Sequence, residues 1–178
     1  MPVSSNIRAF INGWQSWSPS GSYDSSDRMP QTRFGPFLQP MHHPGGESYS
    51  RVRGHFVSDV FGVVGVPTGP GVLIGFLSQS QAFGQLEIMI SGGSASLRLW
   101  EDADQILLEP GKVFSTDWAC LIPLEMNSKE PLSEYLRMYA EVNHARVPDT
   151  VPVGWSSWYH YFQDISFGEL MKNMNWIA

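Results

Sequence analysis

The chain has 178 residues, 11 basic against 17 acidic side chains and a formal charge of −6. That length suits one domain, or one domain and part of another, and the negative charge argues against a nucleic-acid surface. The single cysteine, Cys120, excludes an internal disulfide and a four-cysteine zinc site.

In chain order, residues 1–50 read as irregular: they are rich in Ser, Gly, Pro and Gln, and carry Trp14, Trp17 and the pair His42-His43. The N-terminus has no basic-then-apolar leader pattern, so a cytoplasmic protein is expected. The uncharged apolar stretch 60–77 is long enough for a membrane helix. Its centre is Pro67-Thr68-Gly69-Pro70-Gly71, which breaks a helix and predicts two strands joined by a turn, with no membrane partner. Strands are predicted over 55–66, 72–78, 86–90, 96–100, 106–109 and 113–123, with turns at 67–71, 91–94 and 110–111. Short strands at this spacing predict an antiparallel sandwich.

The period changes after Asn127. Leu132, Tyr135, Leu136, Tyr139 and Val142 follow helical spacing and predict an amphipathic helix over 131–143 behind Pro131. Residues 146–150 read as a linker. Val151-Pro152-Val153-Gly154-Trp155 suits a buried strand, and Ser166-Phe167-Gly168-Glu169 has capping-box spacing. Phe167, Leu170, Met171, Met174 and Ile177 supply the stripe of a last helix. Strand, aromatic loop and helix form one βα unit, the building block of a barrel or a doubly wound sheet.

Two aromatic segments suggest chemistry: Asn12-Gly13-Trp14-Gln15-Ser16-Trp17-Ser18, and Gly154-Trp155-Ser156-Ser157-Trp158-Tyr159-His160-Tyr161-Phe162. Indole faces match the flat C–H patches of a pyranose, and hydroxyl or amide donors beside them complete a sugar site. Packing between domains is the other use for such rings. The five histidines show no metal-ligand spacing, and no metal or cofactor is expected. Glu101-Asp102-Ala103-Asp104 reads as a solvated acidic turn, Asp164 as the cap of the last helix, and Cys120 as a small core residue.

The two segments together resemble the melibiase-type α-galactosidases, glycoside hydrolase family 36. The first is similar to that family's tryptophan loop from the N-terminal sandwich. The second, with Ala145-Arg146-Val147-Pro148 ahead of it, is similar to the entry into the family's (β/α)₈ barrel. The resemblance implies a mainly β chain: an antiparallel sandwich over 1–125 with its N-terminal strands missing, a linking helix and linker over 126–150, and the first βα unit of the barrel over 151–178. It implies retaining hydrolysis of terminal α-galactosides through a galactosyl-enzyme intermediate. Trp17, Trp158 and Tyr159 would border the galactose pocket, with Trp14 and Trp155 supporting the loops. The family's catalytic aspartates lie on later barrel strands, so no catalytic residue is expected in this chain, which reads as a fragment inactive alone. Two alternatives stand beside this reading: a fragment of a galactosyl-transferring raffinose or stachyose synthase, and a non-catalytic carbohydrate-binding β module. An α-galactoside oligosaccharide is the expected partner, and a homo-oligomer is compatible with the family.

Overall fold

The computed structural model describes residues 6–15, 18–30, 52–151 and 153–177. They fall into two units, Met1–Ala145 and Arg146–Ala178.

The first unit is mainly β. Its strands are β1 (Arg8–Ile11), β2 (Gly21–Asp24), β3 (His55–Asp59), β4 (Phe61–Gly65), β5 (Pro70–Phe76), β6 (Phe83–Ser91), β7 (Ser94–Asp102) and β8 (Ala119–Glu125). Every pairing is antiparallel. One sheet has the order β2-β1-β4-β5-β8 and the other β3-β6-β7. A helix, α1 (Ser133–Val142), follows.

The apolar stretch 60–77 is the predicted hairpin. β4 and β5 pair from Phe61↔Gly75 to Gly65↔Gly71, and the Val66 and Gly69 N–H groups close the turn. The stretch is apolar throughout because its sheet is covered on both faces. Ala9, Ile11 and Val64 point to the second sheet and meet Phe56, Ile88 and Ile90. Their chain neighbours Phe10 and Val63 point the other way, toward Leu73, Leu124 and Tyr135 of α1. The period of two along a strand therefore builds three layers: helix, five-stranded sheet, three-stranded sheet. Cys120 packs into the helix-side cluster, as expected of a small core residue.

One strand was expected over 55–66; the structure has two, in different sheets. Val60 is the break, with φ of 70°. Its N–H donates to Gly84 O at 2.9 Å, toward the three-stranded sheet, and its carbonyl accepts from Phe76 N at 2.9 Å, toward the five-stranded one. A local apolar pattern cannot show this switch, because both halves are strand. The other corrections are local. Residues 1–50 are not wholly irregular: β1 and β2 form there, tied by Arg8 to Asp24 at 3.2 Å and to Ser22 O at 2.8 Å. Residues 106–109 form no strand, and 113–117 lead up to β8 outside any strand.

Helix α1 uses a narrower stripe than predicted. Tyr135 is buried, and Leu132, Met138 and Tyr139 pack beside it, whereas Leu136 and Val142 face solvent. Tyr135 Oη donates to Phe76 O at 2.7 Å, and Asn143 Nδ2 donates to Leu77 O at 2.7 Å, so polar bonds fix both ends of the helix to the sheet.

In the second unit, α2 (Trp158–Tyr161) precedes α3 (Phe167–Ile177). The strand expected over 151–155 is not formed among the described residues; Val151 and Val153 are almost fully exposed. A strand needs a neighbour to take its N–H and C=O groups, and among the described residues none pairs with this segment. The cap of α3 is Ser166, whose Oγ accepts from Glu169 N at 3.2 Å, and not Asp164. The expected apolar stripe of α3 is present, but no residue of the helix is buried. Among the described residues, no helix is long and apolar enough to cross a membrane.

Val60 generates a test. A β-branched residue at positive φ carries a steric cost of about 1–2 kcal/mol that glycine does not. Val60→Gly should therefore leave the urea midpoint unchanged or raise it, where Val→Gly inside a strand lowers it. A midpoint shift equal to that of Val57→Gly would show that Val60 is unstrained.

Candidate functional site

The first tryptophan loop is held by the end of β3. Asn12 N donates to Ser58 Oγ at 2.8 Å, and Ser58 Oγ donates on to Phe61 O at 2.5 Å. Asn12 Nδ2 donates to Asp59 O at 2.9 Å, while Asp59 N donates to Asn12 O at 2.8 Å. The Trp14 N–H reaches Asp59 Oδ2 at 3.2 Å, and Gln85 Nε2 reaches Oδ1 at 3.0 Å. Gly13 must be glycine: a Cβ there would run into Ser18 Cβ where the loop closes on itself. Trp14 thus stands on a fixed backbone with its ring partly exposed. Trp17 lies outside the described residues, and with it the expectation that Trp17 meets Trp158 and Tyr159; the pair His42-His43 lies outside as well.

Asp59 itself is 1% exposed. Burial pushes its pKa up to about 6, against the bonds from Gln85 and Trp14 that hold it down. The sequence held no sign of this, since Asp59 sits inside what reads as one continuous strand.

The second aromatic segment turns through α2. Trp158 is half-exposed, its ring centroid 4.4 Å from that of Phe162, and Tyr159 is 95% exposed. Trp155 packs edge-on to Tyr161 at 6.3 Å. Tyr161 Oη donates to Glu169 Oε2 at 3.2 Å and accepts from Asn173 Nδ2 at 2.9 Å, which joins α2 to α3. Trp155 and Tyr161 therefore brace the turn, and Trp158 and Tyr159 present open faces.

A cleft of about 610 Å³ was not foreseen. It is lined by Phe76, Leu99, Trp100, Glu101 and the run from Phe114 to Ala119. Glu101 is not in a solvated turn. It lies on β7 at period two from Leu97, which packs into the core between the sheets. The apolar-polar alternation stops at Leu99, so it did not carry the strand on to Glu101. Asp117 is buried and accepts from Ser80 N at 3.2 Å, Ser80 Oγ at 2.8 Å, Gln81 N at 2.9 Å and Ser78 Oγ. Burial would raise its pKa, but these donors outweigh it and hold the carboxyl at about 2. Glu101 Oε1 accepts the Asp117 N–H at 2.8 Å, and burial, with the Asp117 charge beside it, raises the Glu101 pKa. Among the described residues no three His, Cys, Asp or Glu side chains gather as metal ligands.

The two aspartates bias stability in separate pH windows. The Asp59 carboxyl binds its proton more tightly folded than unfolded, so folding gains from it below about pH 4 and loses that gain as pH rises to about 6. The shift is worth about 3 kcal/mol. Asp117 acts the other way: its contribution is present above about pH 4 and is lost as pH falls toward about 2. Asp59→Asn should remove most of the fall in urea midpoint between pH 4.5 and 7; an unchanged slope would assign that fall to other groups.

No protein-family profile matches the chain, and no solved structure matches it.

Proposed function

We propose that this chain is the sandwich domain and first βα portion of a melibiase-type α-galactosidase of glycoside hydrolase family 36. In this reading Trp17, Trp158 and Tyr159 border the pocket for a terminal α-galactose. The observation that carries it is the pair of tryptophan segments, separated in the sequence by a β-rich domain and a helix. Local structure supports the roles. Hydrogen bonds to Asp59 and Ser58 fix the backbone ahead of Trp17, and the brace through Tyr161 leaves Trp158 and Tyr159 open. The exposed apolar stripe of α3 suits a helix that would pack among other βα units.

Magnitudes limit these rings to binding. Glycosidase-scale acceleration requires at least ~8 kcal/mol of transition-state stabilisation. A ring contact contributes about 0.5–1.5 kcal/mol beyond its buried area, so three rings reach only a few. The double displacement depends on two carboxylates about 5 Å apart across the glycosidic bond. Asp59 and Asp117 do not take those parts, because the first is sealed in the core and the second is saturated by donors. Catalysis therefore belongs to residues outside those assigned here.

The test has two parts. The 178-residue chain, free of longer enzyme, should release no nitrophenol from p-nitrophenyl α-galactoside; turnover would overturn the assignment of roles. In a protein that continues through a complete barrel, Trp158→Ala should lower kcat/KM about tenfold with the unfolding midpoint of the sandwich unchanged. Full activity in both Trp158→Ala and Trp17→Ala would remove the proposed pocket.

A further inference from the structure

The three-stranded sheet ends on β7, and the outer edge of that strand is open. Gly92 and Gly93, at φ of 56° and 79°, make a two-residue turn that pairs Ser91 with Ser94. In such a hairpin the closing pair exchanges both N–H···O bonds, and bonded and non-bonded pairs then alternate along the ladder. The other side of β6 agrees. Ile90 N donates to Gly54 O at 2.7 Å, and Gly84 O accepts from Val60 N at 2.9 Å, so the even-numbered residues of β6 face the β3 side. On β7, Ser94, Ser96, Arg98, Trp100 and Asp102 therefore bond to β6. Ala95, Leu97, Leu99 and Glu101 turn their N–H and C=O groups away from it, and no backbone partner meets them among the described residues.

The side chains at this edge lack cover as well. Ala95, Leu97 and Leu99 lie on the core side of β7 but are only half-buried, whereas their register partners Ile90, Ile88 and Leu86 are buried. In the other sheet, Val72 of β5 packs into the same cluster as Ala95 and Leu97, and β8 is the next strand out. Cys120 and Ile122 of β8 pack on the helix side, so Leu121 between them points to the opposite face. It is 63% exposed there. Leu99 of β7 and Ala119 of β8 both line the cleft. Open edge, cleft and bare leucine are thus one feature: five strands face three, and no strand lies beside β7 over β8 among the described residues.

A row of amide groups above an apolar floor matches an extended peptide, which supplies the same groups along one edge and apolar side chains on one face. No proline interrupts β7, so nothing in its backbone blocks such pairing. A second copy does not fit. With β7 paired to β7, each copy's β8 would enter the space under the other's β7, where β5 already lies. Charge then narrows the peptide. Residues 101–117 carry Glu101, Asp102, Asp104, Glu109 and Asp117 against Lys112 alone. Arg98, the one cation of β7, is already paired with Glu87 at 3.6 Å. We propose that the outer edge of β7 docks an extended, lysine- or arginine-rich strand of a partner protein. That strand pairs with Ala95, Leu97, Leu99 and Glu101 and lays its apolar side chains over Leu99, Ala119 and Leu121. This docking does not depend on whether the chain belongs to a galactosidase.

The test uses the 178-residue chain and a short fluorescent peptide that alternates lysine and valine. Two controls accompany it: the glutamate–valine counterpart, and the lysine–valine peptide with its backbone N–H groups methylated. Fluorescence anisotropy at low salt should give a sub-millimolar Kd for the first peptide, weakening as salt is raised. Each control should bind at least about tenfold more weakly. Hydrogen-exchange NMR should show the amides of Ala95, Leu97, Leu99 and Glu101 slowed when the peptide binds. Leu121→Lys should weaken binding about five- to tenfold, with the unfolding midpoint kept because that side chain is mostly exposed. The proposal is overturned if the lysine–valine peptide does not bind, if either control binds as tightly, or if Leu121→Lys binds as the parent does. It is equally overturned if the slowed amides lie elsewhere, or if the chain alone dimerises with those four amides already slow.

Discussion

The peptide of Val60 joins the two sheets, and the rest of the sandwich depends on it. Its N–H serves one sheet and its carbonyl the other, at a positive φ that a β-branched residue takes only under constraint. The constraint comes from both sides. Phe56 before the switch and Val64 after it are buried in one cluster from opposite sheets, and Val63 is buried in the helix-side cluster, so the chain must cross between layers within a few residues. The burial of those side chains, at about 2 kcal/mol each, outweighs the local strain.

The same junction sets the first tryptophan loop. Because the switch follows Asp59 immediately, the carboxylate is buried where the β1 chain leaves its sheet. There it takes the Trp14 and Gln85 N–H donors in place of water. A buried carboxyl is costly unless it is bonded, and two donors recover only part of its hydration. Asp117 shows the opposite balance. Its several donors exceed the hydration it lost, so it remains ionised and fixes the segment leading into β8. Two aspartates in one small domain thus differ in pKa through the number of donors around each, and both serve to hold aromatic segments in place.

Burial is uneven across the chain. The five-stranded sheet is covered on both faces near β1 and β4, by the second sheet and by α1. Toward the other edge the cover ends: Ala119 and Leu121 on β8 are exposed, and the cleft opens between Ala119 and β7. The cleft arises there because β7 pairs only with β6 among the described residues, while β8 lies on the opposite sheet. The second unit carries no buried side chain among its described residues, and its order comes from local bonds: the Ser166 cap and the Tyr161–Glu169–Asn173 set.

Short-range pattern alone made much of this legible. The breaker set Pro67 to Gly71 converted an apolar run into a hairpin, and alternation located β6 and β7 to within a few residues. The period of Leu132, Tyr135 and Tyr139 located α1, and Ser166 with Glu169 located the start of α3. These features depend on residues within one turn or one hairpin of each other, and their physics is local. Tertiary structure decided the rest. Leu136 and Val142 lost their expected contacts, and Met138 gained one, because the width of the buried stripe is set by the sheet beneath the helix. The segment 151–155 had the composition of a strand but no pairing neighbour among the described residues. The strand switch at Val60, the opposite pKa shifts of Asp59 and Asp117, and the cleft that Trp100 and Trp118 both line all depend on groups distant in the sequence. No local window contains those pairs, because only the folding of two sheets onto one another brings them together.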